Sequence, residues 1–267
     1  MDSYRAVFCD IDGTLLRSDH RFTPDTAEKV REISRRGIPF VLTSSRMPAA
    51  IYPIQEAIGF RGPIISYGGA FVEDENRKVL ASIGFSRALA LEIWEEFPPE
   101  TRECCFCAYS GDIWTASDAR HPLIHREEEI TSVHAASGSV EELIPEEAPV
   151  HKLWGVGPPA LMDEMVVRLQ KRFPQCMICK SAPHLMEIMD GRASKSQAVR
   201  LLCEAWGISP AETVSFGDNY NDLDMLKATG RSVAMGNAPD EVKAAASEVT
   251  ADNDREGLLM ALNRLFP

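Results

Sequence analysis

Two acidic segments near opposite ends of this chain each follow a short apolar run. Residues 10–14, Asp-Ile-Asp-Gly-Thr, come after Ala-Val-Phe-Cys at 6–9, and residues 217–222, Gly-Asp-Asn-Tyr-Asn-Asp, come after Thr-Val-Ser-Phe at 213–216. Short apolar runs that break into polar residues are typical of buried strands. Open α/β sheets place their sites at the carboxyl ends of parallel strands. The two segments therefore predict a fold in which both ends of the chain meet at one edge of a sheet.

The spacing of the acidic residues favours phosphoryl transfer. Asp10 and Asp12 are two residues apart, so their side chains point the same way if the strand geometry continues. One carboxylate can then attack phosphorus while the other handles a proton. Gly13 permits a sharp turn after the strand. Asp218 supplies a hard oxygen ligand of the kind that Mg²⁺ prefers, and such an ion also reduces the repulsion among the anionic groups.

Each segment has another interpretation when it is taken alone. Residues 10–14 also fit a turn or a calcium loop, but an EF-hand loop that starts at Asp10 needs Glu at its twelfth position, where this chain has Arg21. Residues 217–222 also fit an ordinary helix cap, because Asp and Asn favour helix starts. The presence of both segments after apolar strands in one chain favours the functional interpretation.

The rest of the chain alternates between strand and helix patterns. Thr-Pro at residues 23–24 is typical of a helix start, and Gly37 of its end. An apolar run at 38–42, a predicted helix at 48–57 and another apolar run at 63–66 follow. Such alternation predicts right-handed crossovers and an α/β fold with a doubly wound, mostly parallel sheet.

The regular alternation of strand and helix ends in the middle of the chain. There, a predicted helix at 86–97 is followed by strand patterns and by a second helix at 160–172. We interpret this stretch as an α/β insert with its own sheet. The predicted domains are a core of residues 1–83 and 185–267 and an inserted domain of residues 84–184. After the insert, Ser194 is a candidate cap for a further core helix.

In combination, these motifs resemble those of the haloacid dehalogenase superfamily of phosphatases, specifically the Cof-type subgroup with a type IIB cap. The resemblance extends over residues 8–16, 216–226 and 233–238. It implies a Rossmann-like core, with the insert acting as a cap that selects the substrate. It also implies Mg²⁺-dependent hydrolysis of small phosphorylated metabolites, such as sugar phosphates or phosphorylated cofactors, through an aspartyl-phosphate.

The resemblance assigns roles to individual residues. It implies that Asp10 is the nucleophile, Asp12 the general acid/base, and Lys195 the cation that offsets the charge on Asp10. Ser44 matches the residue that hydrogen-bonds the phosphoryl group, with Thr43 as the competing choice. The implied Mg²⁺ ligands are Asp10, Asp12, Asp218 and Asp222. The implied phosphate-binding and substrate-binding residues are Ser44, Ser45, Arg46, Gly68, Gly69, Lys195 and Asn221.

The chain departs from the family pattern in two places. Many relatives carry Asn-Gly-Ala where this chain has Gly-Gly-Ala at residues 68–70, so an Asn side chain is missing at Gly68. Relatives also often have Gly where this chain has Ser196 after the lysine. Neither change removes a carboxylate, so we expect activity to survive and substrate contacts near Gly68 to differ.

Composition excludes several other classes of protein. Among 267 residues, 28 Lys and Arg against 40 Asp and Glu give a net charge of −12, which argues against a nucleic-acid surface. No stretch approaches the roughly 20 apolar residues of a membrane span, and the amino terminus leads directly into the first apolar run. We therefore expect no membrane association and a cytoplasmic location. The chain has seven cysteines. The Cys-Met-Ile-Cys run at 176–179, and Cys104, Cys105 and Cys107, lie in apolar strand patterns, which favours reduced thiols over a zinc site.

Two other functions remain compatible with these residues. A phosphomutase uses the same aspartyl-phosphate but returns the phosphoryl group to a sugar. A regulatory protein could bind a phosphorylated metabolite without turnover, although such a binder needs no carboxylate at both the nucleophile and the acid positions. The sequence indicates neither the individual substrate nor the oligomeric state.

Overall fold

The computed structural model describes residues 4–97 and 104–267, so that residues 98–103, inside the predicted insert, lie outside the described part. The strands are β1 (Ala6–Asp10), β2 (Phe40–Thr43), β3 (Ile64–Ser66), β4 (Phe71–Glu73), β5 (Val79–Ser82), β6 (Cys105–Ser110), β7 (Ile113–Ala116), β8 (Ala136–Ser137), β9 (Lys152–Val156), β10 (Cys176–Ala182), β11 (Leu185–Asp190), β12 (Thr213–Gly217), β13 (Arg231–Ala234) and β14 (Glu248–Val249). The α-helices are α1 (Pro24–Arg35), α2 (Pro48–Ile58), α3 (Arg87–Trp94), α4 (Pro122–Thr131), α5 (Val140–Leu143), α6 (Pro159–Arg172), α7 (Lys195–Trp206), α8 (Leu223–Ala228), α9 (Asp240–Ala245) and α10 (Gly257–Leu265).

The strands form two separate sheets. The larger has the order β14-β13-β12-β1-β2-β3-β4-β5, and the pairings from β14 to β3 are parallel, whereas β4 runs antiparallel to β3. The strands that precede the two acidic segments, β1 and β12, are direct neighbours, with Cys9 opposite Phe216. This confirms the predicted doubly wound, mostly parallel sheet, and it brings the two ends of the chain together at one edge.

The alternation of side chains between the two faces of β1 determines the side of the sheet on which Asp10 lies. Val7 and Cys9 pack into the apolar cluster that includes Val30 of α1, while Phe8 packs on the opposite face of the sheet with Val199 of α7. Successive side chains of a strand point to opposite faces. Asp10, two residues after Phe8, therefore lies on the side of the sheet that α7 covers.

Two predicted helix starts have side-chain caps in the structure. The Thr23 hydroxyl oxygen accepts a hydrogen bond from the Thr26 amide at the start of α1, and the Ser194 hydroxyl oxygen accepts one from the Gln197 amide at the start of α7. Ser209 and Glu212 form a capping box at the start of a short 3₁₀ helix, Pro210–Glu212. Within the described residues, no helix combines the length and apolar character needed to cross a membrane.

The chain divides into two compact units. The first comprises Met1–Arg46, Ile51–Ala81 and Ser194–Pro267, and the second comprises Met47–Ala50 and Ser82–Ala193. The second unit runs on to Ala193, whereas the sequence placed the end of the insert at 184. The difference has a physical cause, because 184 falls in the turn between β10 and β11, which pair antiparallel as a hairpin.

The sheet of the second unit has the order β10-β11-β9-β6-β7-β8 and two chemically different faces. One face packs against α3 and α6 through an apolar cluster that includes Phe106, Leu153 and Ile188. The register places the alternate residues on the opposite face, since Tyr109 pairs with both Trp114 and Lys152, and Trp154 with Glu187. Besides aliphatic residues such as Val156, that face carries aromatic rings and a Lys–Glu pair. Its polar and aromatic residues include Tyr109, Trp114, Lys152, Trp154 and Glu187, with Cys107 beside them.

Candidate functional site

A buried lysine joins the two acidic segments. Lys195, the first residue of α7, is only 1% exposed, and its Nζ donates to Asp10 Oδ1 and to Asp222 Oδ1, both at 2.5 Å. Asp10 ends β1, and Asp222 ends the 3₁₀ helix Tyr220–Asp222 that follows β12. A buried ammonium group is stable only when it is paired and hydrogen-bonded. The lysine therefore fixes the relative positions of the two carboxylates.

The electrostatics of this cluster follow from burial and mutual repulsion. Burial opposes the charged form of Lys195, but the neighbouring Asp10 and Asp222 outweigh it and raise the pKa of the lysine. Burial, together with Asp222, raises the pKa of Asp10 well above its usual range, although Lys195 opposes the shift. Burial also raises the pKa of Asp218 to about 6. One ammonium cannot balance the charge of all three carboxylates, so the pKa values of Asp10 and Asp218 lie above their usual range.

Asp218 is held by contacts from both ends of the chain. The Thr14 hydroxyl donates to Asp218 Oδ1 at 2.8 Å, and Asn237 Nδ2 donates to Asp218 Oδ2 at 3.2 Å and to the Gly13 carbonyl at 3.0 Å. Gly13 has a φ of +83°, and a Cβ atom there would lie 2.4 Å from Asp218 Oδ2. The turn after β1 therefore requires glycine both for its backbone conformation and for the approach of Asp218.

The loop after β12 is organised around Asp222, which is fully buried. Its Oδ2 accepts hydrogen bonds from the amides of Asp218 and Asn219, both at 3.0 Å. A Cβ atom at Gly217 would lie 2.6 Å from the Asp222 Cβ, so this side chain can fold back only against glycine. Asp222 thereby shapes the loop and meets Lys195 with its other oxygen. Asn221, one residue earlier, is exposed.

Three carboxylates are suitably arranged for a cation. Asp10, Asp218 and Asp222 each offer an oxygen atom, and these atoms all lie within 4.8 Å of one another. When all three carboxylates are ionised, the single ammonium of Lys195 leaves two negative charges uncompensated, the charge that a divalent ion would balance. Oxygen donors alone suit Mg²⁺, which takes one or two carboxylates with waters and a substrate phosphate. The residues present therefore fit the divalent cation that the sequence predicted.

Asp12 lies apart from this cluster. Arg46 Nε donates to Asp12 Oδ2 at 2.7 Å, and Arg46 Nη2 donates to Asp12 Oδ1 at 2.6 Å. His20 Nδ1 lies 3.9 Å from the same Oδ1. Within the described residues the acidic cluster does not include Asp12. The structure therefore gives no support to the Asp12 carboxylate as a metal ligand, because both of its oxygens are bound to Arg46. Arg46, predicted to bind phosphate, likewise contacts a carboxylate here.

Ser44 and Thr43 occupy different environments. Thr43 is buried on β2, where its hydroxyl donates to the Met225 sulfur at 3.7 Å. Ser44 follows the end of the strand, and its Oγ accepts a hydrogen bond from the Arg46 amide at 3.0 Å. The geometry favours Ser44 over Thr43 as the hydroxyl at the sheet edge. Ser45, next along the chain, is half-buried.

The two glycines of the predicted substrate-binding set lie beside the same edge. The Gly68 amide donates to the Ser44 carbonyl at 2.9 Å. A Cβ atom at Gly69, where φ is +108°, would lie 2.2 Å from the carbonyl oxygen of Ser194. Gly69 thus permits the start of α7, and with it Lys195, to approach the loop after β3.

Two contacts of this site were not predicted from the sequence. Asn237 lies in the segment 233–238 that resembles the family, but the resemblance assigns it no role. In the structure it bridges Gly13 and Asp218. The Arg46–Asp12 pair was not predicted either. The available signal for Asn237 was a Gly-Asn pair directly after an apolar run, in a third segment that reaches the same sheet edge.

Comparison with known proteins agrees with this geometry. A family model described as haloacid dehalogenase-like hydrolase matches residues 7–262. A relative from Haemophilus influenzae is 34% identical over 264 residues, with 99% of each chain covered. The pyridoxal phosphate phosphatase YbhA of Escherichia coli is 28% identical, with coverage of 95% of this chain and 96% of that protein.

Solved structures show the same fold over nearly the whole chain. A haloacid dehalogenase-like hydrolase from Bacteroides thetaiotaomicron superposes with a TM-score of 0.90 at 26% identity and covers 98% of this chain and 100% of its own. The sugar phosphatase BT4131 of haloacid dehalogenase subclass IIB has a TM-score of 0.80 at 23% identity, with coverage of 97% and 98%, which shows the likeness of fold. On the sequence motifs, the family model and these structures together, the chain belongs to the haloacid dehalogenase-like hydrolase family.

Proposed function

We propose that this hydrolase is a Mg²⁺-dependent phosphatase that acts on small phosphomonoesters through a phosphorylated Asp10. The observation that carries the proposal is the buried Asp10–Lys195–Asp222 cluster with Asp218 beside it. The substrate class is supported by two similar proteins, one named a pyridoxal phosphate phosphatase and the other a sugar phosphatase.

In the first half of the proposed reaction, a carboxylate oxygen of Asp10 attacks phosphorus and the bond from phosphorus to the leaving oxygen breaks. Asp12 gives its proton to that oxygen. Lys195 already holds Asp10 Oδ1, which orients the other oxygen and offsets negative charge as the phosphoryl group transfers. We assign to Ser44, which directly follows β2, a hydrogen bond from its hydroxyl to a phosphoryl oxygen.

In the second half, Asp12 accepts a proton from water while the water oxygen attacks the phosphorus of the aspartyl-phosphate. The bond between the Asp10 oxygen and phosphorus breaks, which releases inorganic phosphate and restores both aspartates. Asp10, Asp218 and Asp222 would hold Mg²⁺. When bound, this ion neutralises charge on the carboxylates and on the phosphoryl oxygens.

We further propose that the inserted unit selects the leaving group. The support is the sheet face that lacks the apolar cluster, where Tyr109 and Trp114 stack at 5.5 Å between ring centroids. On the same face Lys152 Nζ lies 4.8 Å from the Tyr109 ring centroid and 3.8 Å from Glu187 Oε1. Aromatic rings with one cation and one carboxylate suit a sugar or a heterocycle that carries polar groups. All four residues are at most 9% exposed, so such a ligand would reach them only after the residues that cover them move.

The test is phosphate release from a panel of sugar phosphates and pyridoxal phosphate, with Mg²⁺ and with a chelator. We expect Mg²⁺-dependent release by the native protein and a loss of at least about 1,000-fold in Asp10→Asn, since that variant lacks the nucleophile. Asp25→Asn, which changes an exposed aspartate in the first turn of α1, is the matched control and should retain full activity.

Acid-quenched native protein should carry phosphate on Asp10, detected by mass spectrometry of the peptide that contains it. Native-like turnover by Asp10→Asn would contradict the proposed nucleophile. A phosphoenzyme that forms without net phosphate release, and that isomerises a bisphosphate-primed sugar phosphate, would instead identify a mutase.

A further inference from the structure

The contact between Arg46 and Asp12 fixes the orientation of the Asp12 carboxylate in addition to neutralising its charge. Two different guanidinium nitrogens donate to two different carboxylate oxygens, at 2.7 and 2.6 Å. Such a bidentate pair fixes the plane of the carboxylate as well as its distance, because the guanidinium donors form a rigid planar fork. The orientation of the Asp12 carboxyl group is therefore determined by Arg46.

The two partners differ in how firmly the fold holds them. The Arg46 side chain is 9% exposed, whereas that of Asp12 is 45% exposed. The Arg46 backbone is tied at both ends, since its amide donates to Ser44 Oγ at 3.0 Å and its carbonyl accepts from the Tyr67 amide at 3.1 Å. An exposed carboxylate gains its fixed orientation from a buried partner, and not the reverse.

We infer that Arg46 is the positioning residue for proton transfer by Asp12, and that it does not bind the phosphoryl group. This inference rests on the proposed function, in which Asp12 protonates the leaving oxygen. A carboxylate oxygen has two lone pairs, and the fork uses one on each oxygen of Asp12. The second lone pair of one oxygen can carry the proton that passes to the leaving group.

If Arg46 acts through Asp12, the loss of activity in an Arg46 variant depends on the leaving group of the substrate. The alkoxide that leaves from a sugar phosphate needs a proton as its bond to phosphorus breaks. Nitrophenolate is a stable anion at neutral pH and leaves without one. A residue that acts through the proton donor therefore affects sugar phosphates strongly and p-nitrophenyl phosphate weakly. A residue that binds the phosphoryl group affects both alike, since that group is common to them.

The experiment compares kcat/KM of the native protein and of Arg46→Lys on p-nitrophenyl phosphate and on the most active sugar phosphate of the panel. This ratio reports the steps up to departure of the leaving group. Lysine keeps the positive charge but lacks the fork. We expect a loss of about 10–100-fold on the sugar phosphate and of less than about 3-fold on p-nitrophenyl phosphate.

A double-mutant cycle tests whether Arg46 acts through Asp12. Asp12→Asn should show the same dependence on the leaving group, and adding Arg46→Lys to it should cause no further loss, since the group that Arg46 positions is already disabled. Additive losses, equal losses on the two substrates, or no loss on either would each overturn the inference.

Arg31→Lys is the control for loss of a guanidinium–carboxylate contact away from the site, because Arg31 Nε and Nη2 both donate to Oε2 of Glu28 on α1. It should leave both kcat/KM values unchanged. Thermal unfolding of each variant identifies a general loss of fold, which lowers both activities together. A native protein that releases phosphate from neither substrate would overturn the proposed function, and this inference with it.

Discussion

At the scale of single residues, Gly13 offers a direct test of the site. Its φ of +83° strains any other residue, and a Cβ atom would lie 2.4 Å from Asp218 Oδ2 and 2.8 Å from its Cγ. Those atoms end a short side chain, so Asp218 can move away at a modest cost in stability. We expect Gly13→Ala to lose about 1–2 kcal/mol of unfolding free energy through backbone strain. We also expect a loss of more than about 10-fold in kcat/KM, because Asp218 is displaced.

Gly37 is a matched control for Gly13. It has a φ of +77°, and no atom lies within 4 Å of the position that a Cβ atom would take there. Gly37→Ala should therefore lose a similar unfolding free energy in urea and keep full phosphatase activity. Equal activity in the two variants would show that displacement of Asp218 is harmless, and it would remove this aspartate from the site.

A second residue-scale prediction concerns Asp218 and pH. Its pKa is raised from 3.8 to about 6, mainly by burial. Because the folded-state pKa lies above the unfolded one, the native state loses stability as pH rises through the interval from about 4 to 6, and it stays destabilised above that interval. In the presence of a chelator, Asp218→Asn should be more stable than the native protein at pH 7.5. We expect a difference on the order of 1–2 kcal/mol after allowance for solvent screening at this half-buried group.

Urea unfolding at pH 4.5 and at pH 7.5 measures this difference. The advantage of Asp218→Asn should shrink toward pH 4.5, where the native Asp218 is largely protonated. An advantage that is the same at both pH values would indicate a steric cause and would contradict the electrostatic explanation.

At the scale of secondary structure elements, local sequence signals predicted what depends on local contacts. The caps at Thr23 and Ser194 hydrogen-bond amides only three residues away, at Thr26 and Gln197, so a single-sequence pattern was sufficient to find them. Likewise, the two apolar runs that precede the acidic segments became the adjacent parallel strands β1 and β12.

Contacts between distant parts of the chain were beyond such patterns. Arg46 meets Asp12 across 34 positions and Asn237 meets Gly13 across 224. The Gly-Asn pair at 236–237 marks a segment at the sheet edge, but no local pattern says which distant residue Asn237 or Arg46 contacts. The hairpin of β10 and β11 was missed for a related reason. The burial of its second strand, β11, is nearly continuous, and the register of the pair shifts between Lys180 and Ala182, so no regular alternation marks the two strands as partners.

The N-terminal cap of α7 is a local signal that also affects the proposed reaction, because the capped turn carries Lys195. The Ser194 hydroxyl accepts from the Gln197 amide at 3.2 Å, and the next residue is Lys195. We expect Ser194→Ala to lose about 1 kcal/mol of unfolding free energy, the usual cost of a lost N-cap. It should also lower kcat/KM by about 10-fold, because fraying of the first turn moves the Lys195 ammonium.

Ser86→Ala is the control for this prediction. Ser86 caps α3 in the second unit through the same kind of contact, with the Leu89 amide at 3.2 Å from its hydroxyl oxygen. The two variants should be destabilised alike in urea, and only Ser194→Ala should lose activity on p-nitrophenyl phosphate. Equal activity would show that Lys195 keeps its position without the cap.

At the scale of the whole molecule, the net charge of −12 and the acidic cluster predict two separable responses to salt. NaCl screens repulsion among exposed carboxylates, so it should raise the melting temperature of the native protein and of Asp218→Asn equally. Mg²⁺ in chelator-free buffer should raise it further in the native protein alone. Mg²⁺ at a concentration of about 100 times its Kd adds about 2.7 kcal/mol to the unfolding free energy.

Because the cluster is largely buried, the increase in melting temperature caused by Mg²⁺ should persist at high NaCl, measured by calorimetry. An increment that high NaCl abolishes in the native protein, or that Asp218→Asn retains in full, would mean that Mg²⁺ acts by screening and does not bind at Asp10, Asp218 and Asp222.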